Sequence, residues 1–186
     1  MKRLLGISFV LLVIVVGILL LADKVITPSS TPPAIISTPI NGEIGIWFSP
    51  NGGCTEAIVS EISMAQKSIR VQAYSFTSEP IANALIKAYK RGLDVEIILD
   101  RSQESERYSQ LREVKRAGIP TFIDAKHAIA HNKIMIIDER VVITGSFNFT
   151  KGAEEKNAEN LLIIKGNSDL TQKYVQNYLQ HKQHVK

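Results

Sequence analysis

The sequence predicts an α/β fold, a mixed central β-sheet flanked by helices and preceded by one N-terminal hydrophobic helix. Two observations point to the sheet and its helices. From residue 43 onward, short apolar stretches of strand length alternate with longer amphipathic ones. One of them, residues 95–99, is nearly all apolar, as in a strand covered on both faces. A third observation sets the amino terminus apart: Met1, Lys2 and Arg3 precede 19 uncharged residues, 4–22, closed by Asp23 and Lys24.

The elements follow in order. Residues 1–22 are long enough to span a bilayer, which takes about 20 residues. They read as a signal anchor or a signal peptide. Cleavage would place the bulky Leu20 with Ala22 at the two positions that prefer small residues, which favours the anchor. With Lys2 and Arg3 on the cytoplasmic side, the rest of the chain is expected across the membrane, facing the periplasm or the outside, or released there if the signal is cut. Residues 23–42 carry Pro28, Pro32, Pro33 and Pro39 among Ser and Thr and read as an extended linker. Residues 43–186 are expected to form the folded domain.

Within that domain, residues 43–48 read as a strand, followed by a turn over Pro50, Asn51, Gly52 and Gly53. Ile58, Ile62 and Ala65 then recur at helical spacing. Residues 68–76 alternate like a strand. Residues 79–90 read as a helix with Ser78 placed to cap it and Gly92 to close it. Residues 101–118, rich in both Arg and Glu, are expected to form a solvated helix. Strands over 121–123, 133–137, 141–144 and 160–164 and a helix over 170–181 complete the domain.

At 186 residues the chain can bury one core. The formal charge of +4 looks like a mark of a polyanion partner. Set aside Lys2, Arg3, Lys24 and Asp23, however, and 19 basic residues face 17 acidic ones in the rest. Total charge therefore argues for no partner, and only a local basic cluster could. Cys54 is the single cysteine, which excludes an internal disulfide and a cysteine-rich zinc site. It reads as a small buried apolar residue.

Chemistry concentrates in residues 131–148, HNKIMIIDERVVITGSFN, with His131, Lys133, Asp138, Gly145, Ser146 and Asn148. This resembles the signature of the phospholipase D superfamily, His-x-Lys-x4-Asp-x6-Gly-Ser-x-Asn, at every spacing. AYSFTS at 73–78 and GSFNFTKGAEEKNAEN at 145–160 extend the resemblance to the small single-motif bacterial endonucleases of that superfamily. The resemblance implies a phospholipase D/nuclease fold and a phosphohistidine mechanism. It gives Glu159 the carboxylate that orients the histidine and Asn148 a phosphate-gripping amide.

The residue types suit that chemistry on their own. Strand alternation would aim His131 and Lys133 to one side, and likewise Ser146 and Asn148 on the next strand but one. A phosphodiester needs a nucleophile, neutralisation of its non-bridging oxygens and a proton for the leaving oxygen. His131 is the candidate nucleophile. Lys133, Ser146 and Asn148 are candidate substrate ligands, and Asp138 and Gly145 are structural members of the motif. One histidine cannot both attack and donate, and the chain has a single motif with no repeat. The second imidazole is therefore expected from His131 of another copy, in a homodimer. Lys133 and Asn148 from both copies would offset the phosphate charge, so neither a metal nor another cofactor is expected.

Other polar residues have blander readings. Asp138 is expected to cap a turn. His127 and His131, four apart on a strand, would be about 13 Å apart, too far to share a metal ion. His181 and His184 are expected in solvent, and the glycosylation triplet at Asn148 is read as coincidence.

Three functions remain: a non-specific, metal-independent endonuclease acting on nucleic acid; a phospholipase D-type hydrolase of phosphatidylcholine or cardiolipin, kept near a bilayer by the anchor; and a non-catalytic nucleic-acid-binding module. The intact motif favours the enzymes, and the endonuclease leads.

Overall fold

The computed structural model describes residues 42–185. The hydrophobic segment 1–22 and the linker 23–42, save its last residue, lie outside the described residues. Among those described, no helix is long and apolar enough to cross a membrane.

The chain runs β1 (Glu43–Ser49), α1 (Cys54–Met64), β2 (Ser68–Ala73), α2 (Glu79–Lys90), β3 (Asp94–Asp100), a 3-10 turn (Arg101–Glu104), α3 (Leu111–Arg116) and β4 (Thr121–Asp124). It continues through β5 (Lys133–Ile137), β6 (Val141–Gly145), α4 (Lys151–Glu155), β7 (Glu159–Lys165) and α5 (Ser168–Lys182). The strands form a seven-stranded mixed sheet in the order β1-β7-β6-β5-β2-β3-β4. The neighbours β2, β3 and β4 are parallel, because helices return the chain between them, and the remaining pairs are antiparallel.

Strand alternation sorts the core into two layers. Val71, Ile97, Met135 and Ile163 pack with Ile58 and Ile62 of α1 and Ile81 and Leu85 of α2. Ile98, Ile134 and Ile136 point the other way and meet Tyr178 of α5. Polar bonds at the rim of this second layer fasten the helix: the Tyr178 hydroxyl donates to Glu96 Oε2 at 3.1 Å, and Lys182 pairs with Glu96. Cys54 is fully buried, and burial, with the nearby charge of Glu154, pushes its thiol up to about 11. It is an inert core residue.

The structure departs from the sequence reading in three local places. Residues 101–118 do not form one helix; only the 3-10 turn and the short α3 do. Polar side chains there bond the backbone instead of leaving it to a helical ladder. Asp100 accepts from Ser102 N at 2.9 Å, buried Gln103 accepts from Phe76 N at 3.1 Å, and Ser109 Oγ accepts from Leu111 N at 3.3 Å. Ser78 stands at the N-cap of α2, but its buried side chain makes no capping bond. The strand expected over 68–76 stops at Ala73, and Phe76 makes an isolated bridge to Phe149.

Candidate active site

Lys133 opens β5 and pairs with Ala73 of β2, which turns its side chain toward the α1–α2 layer. It is 8% exposed, and its Nζ donates to the His131 carbonyl at 2.8 Å and lies 5.0 Å from the centre of the Tyr74 ring. The His131 ring is exposed and lies 4.5 Å from the same tyrosine, centre to centre. Tyr74 N, bonded to Asn132 O at 2.8 Å, anchors this segment. The imidazole and the ammonium are thus placed around one aromatic ring.

That arrangement corrects the alternation argument. β5 begins at Lys133 and β6, its direct neighbour in the chain, ends at Gly145. His131, Ser146 and Asn148 therefore sit on the connecting segments at the sheet edge, and loop geometry aims them. At Gly145 the backbone has φ 141°, and a Cβ would stand 2.3 Å from the Asn160 carbonyl, so only glycine lets β6 leave β7 here. Ser146 is tied to β7: its Oγ accepts from Asn160 N at 3.0 Å, and its N donates to Asn160 Oδ1 at 3.3 Å. The Asn148 side chain turns inward, and its Oδ1 is buried without a hydrogen-bond partner among the described residues. A buried amide end left open costs free energy, about 1–3 kcal/mol, unless something occupies it.

Glu159 opens β7 opposite Ser49, and its Oε1 accepts from Asn157 Nδ2 at 3.2 Å. The bond to the His131 ring that the resemblance implies is not among those of the described chain. Its charge is instead felt at Lys133. Burial pushes the Lys133 ammonium below its ordinary value, and Glu159 draws it part of the way back.

Asp138 points away from this group. Its carboxylate accepts from Gln66 N, Lys67 N and Ser68 N at 2.8, 2.7 and 2.9 Å, and so holds the start of β2 to the end of β5. Burial would raise this carboxyl, but the three backbone donors hold it below its usual range.

Sequence reasoning missed the contribution of α5. A cavity of about 450 Å³ at His131 and Lys133 is walled by Lys173, Tyr174 and Asn177. These lie 25 to 29 residues beyond Asn148, outside the stretch that carries the resemblance, so no local spacing marks them. His181 and His184 are also corrected: their side chains are 15% and 20% exposed, not in open solvent. His127 is on a loop rather than a strand, and it meets those two histidines and Asp124, not His131.

Comparison with known proteins agrees with this fold. Residues 58–182 match the family model described as "Cardiolipin synthase, PLD-like domain". The chain belongs to this phospholipase D-like family and is a phosphodiester hydrolase. Among its relatives, "Phospholipase D" of Rickettsia felis is 45% identical over 147 residues, covering 79% of this chain and 73% of that one. "Mitochondrial cardiolipin hydrolase" of Xenopus laevis is 33% identical over 99 residues, 53% of this chain and 47% of its own length. Among solved structures, the phospholipase D family member Nuc from Salmonella typhimurium superposes with a TM-score of 0.74 at 36% identity, covering 77% of this chain and 96% of that one. NucT from Helicobacter pylori gives 0.70 at 25% identity, with coverage of 77% and 97%.

Proposed function

We propose that this chain is an exported, membrane-tethered endonuclease that hydrolyses DNA and RNA without sequence preference, through a phosphohistidine, in an active site shared by two copies. The observation that carries the choice of substrate is the lining of the cavity at His131. Lys173, Asn132, Asn177 and Thr144 share its wall with Ile134 and Tyr174, so a cation and amides stand along it for a phosphate chain. The near-complete coverage of Nuc supports the same choice.

An imidazole nitrogen of one His131 attacks phosphorus, and an N–P bond forms as the bond to the leaving oxygen breaks. The partner's His131 enters as imidazolium and gives that oxygen its proton. Now neutral, it takes a proton from water as the water oxygen attacks phosphorus, the N–P bond breaks, and both imidazoles return to their starting states. Lys133 and Asn148 of both copies hold the non-bridging oxygens, so no step calls for a metal. Ser146 steadies the loop that presents Asn148. In the assembled site, Glu159 fixes the imidazole tautomer once the second copy orders the ring.

A surface for the second copy adjoins the motif. Ile44, Ile46 and Phe48 alternate along β1 on one face, 42%, 57% and 66% exposed. Phe48 pairs with Asn160, the residue that ties down Ser146, so the apolar stripe ends at the catalytic loop.

One observation favours lipid as a second reading: Ile129, two residues before His131, is 58% exposed and could enter a bilayer surface. The Rickettsia felis relative named "Phospholipase D" points the same way. The full chain in detergent, given plasmid DNA, RNA, and phosphatidylcholine or cardiolipin vesicles, decides between them. Nicking of the plasmid with a labelled phosphohistidine trapped by acid-free quenching is expected. Turnover of vesicles beside intact plasmid would overturn the nuclease reading, and full activity in a monomer would overturn the shared site.

A further inference from the structure

We propose that Asp124, His127, His181 and His184 form a binding site for zinc that fastens the C-terminal end of α5 to the loop leading to His131. It lies outside the phosphate site and does not depend on the proposed function.

The four residues come from two distant parts of the chain. Asp124 ends β4, His127 follows in the 125–132 loop, and His181 and His184 stand on the last turn of α5 and just beyond it. Each offers one donor atom, and the four atoms lie within 4.8 Å of one another. From Asp124 Oδ2, the nearest nitrogens are His181 Nδ1 at 2.8 Å, His127 Nδ1 at 2.9 Å and His184 Nε2 at 3.6 Å. Tetrahedral zinc with bonds of about 2.0–2.1 Å sets its ligands roughly 3.3 Å apart, within that span.

Two features separate this cluster from a chance gathering of polar groups. Asp124 is completely buried at the floor of the cluster, and its Oδ1 is fixed by Lys126 N at 3.1 Å and His127 N at 3.4 Å, the outer support that metal-binding carboxylates use. The second feature is His184 Nε2, which is buried and without a hydrogen-bond partner among the described residues. The nitrogens of three imidazoles converge on one carboxylate, and His184 Nε2, 3.6 Å from Oδ2, is the one left without a bond. A cation at their centre would satisfy all four groups together.

Three imidazoles and a carboxylate are a borderline donor set that suits zinc and disfavours magnesium or calcium, which prefer oxygen. Four protein ligands leave no open position, as in structural rather than catalytic zinc sites. The consequence is mechanical. His127 is four residues from His131, and α5 supplies Lys173, Tyr174 and Asn177 to the His131 cavity. A metal at one end of that helix would hold both walls of the cavity in register.

The test uses the full chain in detergent, purified without a polyhistidine tag, stripped with a chelator and titrated with zinc by calorimetry. Metal content is then measured after gel filtration. We expect one zinc per chain with a Kd of about 1 μM or tighter, in keeping with apparent structural zinc affinities. We also expect a rise of several degrees in Tm with zinc but not with magnesium. The double variant His181→Ala, His184→Ala should lose the stoichiometric zinc and the Tm shift while keeping its circular dichroism. If it fails to fold, His184→Gln alone should weaken zinc at least tenfold. His131→Asn should bind zinc unchanged. Absence of stoichiometric zinc, equal binding by the double variant, or loss of zinc in His131→Asn would each overturn the proposal.

Discussion

Two polar clusters sit at the ends of strands of this sheet, and they are built in opposite ways. The candidate phosphate site is local: His131, Lys133, Ser146 and Asn148 fall within eighteen residues, on the segments that flank one β-hairpin. The histidine–aspartate cluster joins the end of β4 to the end of α5, with His181 57 residues from Asp124. In the first, sequence spacing defines the chemistry and the fold supplies precision. In the second, the fold creates the chemistry, and no spacing announces it. The difference also shows in what each site leaves open: a buried Asn148 oxygen in one and a buried His184 nitrogen in the other.

The most decisive way to break the comparison is to remove the proposed nucleophile. His131→Asn should lower turnover by about 10⁴-fold or more, since it removes both the attacking and the donating group, each worth roughly 10²–10⁴. Dimerisation and substrate binding should survive, as measured by sedimentation and by nucleic-acid retention. Next in size is Phe48→Asp, which places a charge in the apolar stripe beside the catalytic loop. Activity per chain should fall by about 10²-fold at low protein concentration and recover as concentration rises, because mass action restores the pair. An activity that stays low at every concentration would place Phe48 outside the interface. Glu159→Gln is a smaller change. An expected loss of about 10–100-fold, with the acid limb of the pH–rate profile displaced, would mark a residue that acts through His131 rather than on the substrate. A uniform loss with an unmoved profile would leave Glu159 with the structural tie to Asn157.

Much of the phosphate site was legible because its residues must be close in the chain to be close in space. The resemblance placed His131, Lys133 and Asn148 together, and periodicity found each strand of the sheet, because burial on one or both faces leaves a pattern that sequence displays directly. What stayed hidden depends on long-range placement. Alternation wrongly put His131 and Ser146 on strands, since it cannot see where a strand ends against its neighbours. The polar run 101–118 looked helical by composition, yet Asp100 and Ser109 take up backbone N–H groups of the run, and buried Gln103 ties it to Phe76. His181 and His184 looked solvated because they lie in a polar tail, and only the packing of Tyr178 under α5 carries them to Asp124.

Two carboxylates, one buried and one partly exposed, sharpen the contrast at the smallest scale. Asp124 faces side chains that could share a metal, whereas Asp138, a member of the motif, faces three backbone N–H groups of the β2 entrance. Asp138 should therefore affect stability and leave chemistry alone. Its folded-state pKa lies below the unfolded value, so its contribution is fully present above about pH 4 and fades as pH falls through the folded value. Asp138→Asn should cost about 2 kcal/mol at neutral pH, the scale of lost hydrogen bonds to a charged acceptor. In urea melts the gap between variant and parent should close below about pH 4, where the parent carboxyl takes up its proton. Turnover per folded chain at neutral pH should be unchanged. A variant that melts like the parent but loses turnover would move Asp138 from the frame of the site into its chemistry, and would mean that the motif's two halves cannot be separated into fold and function.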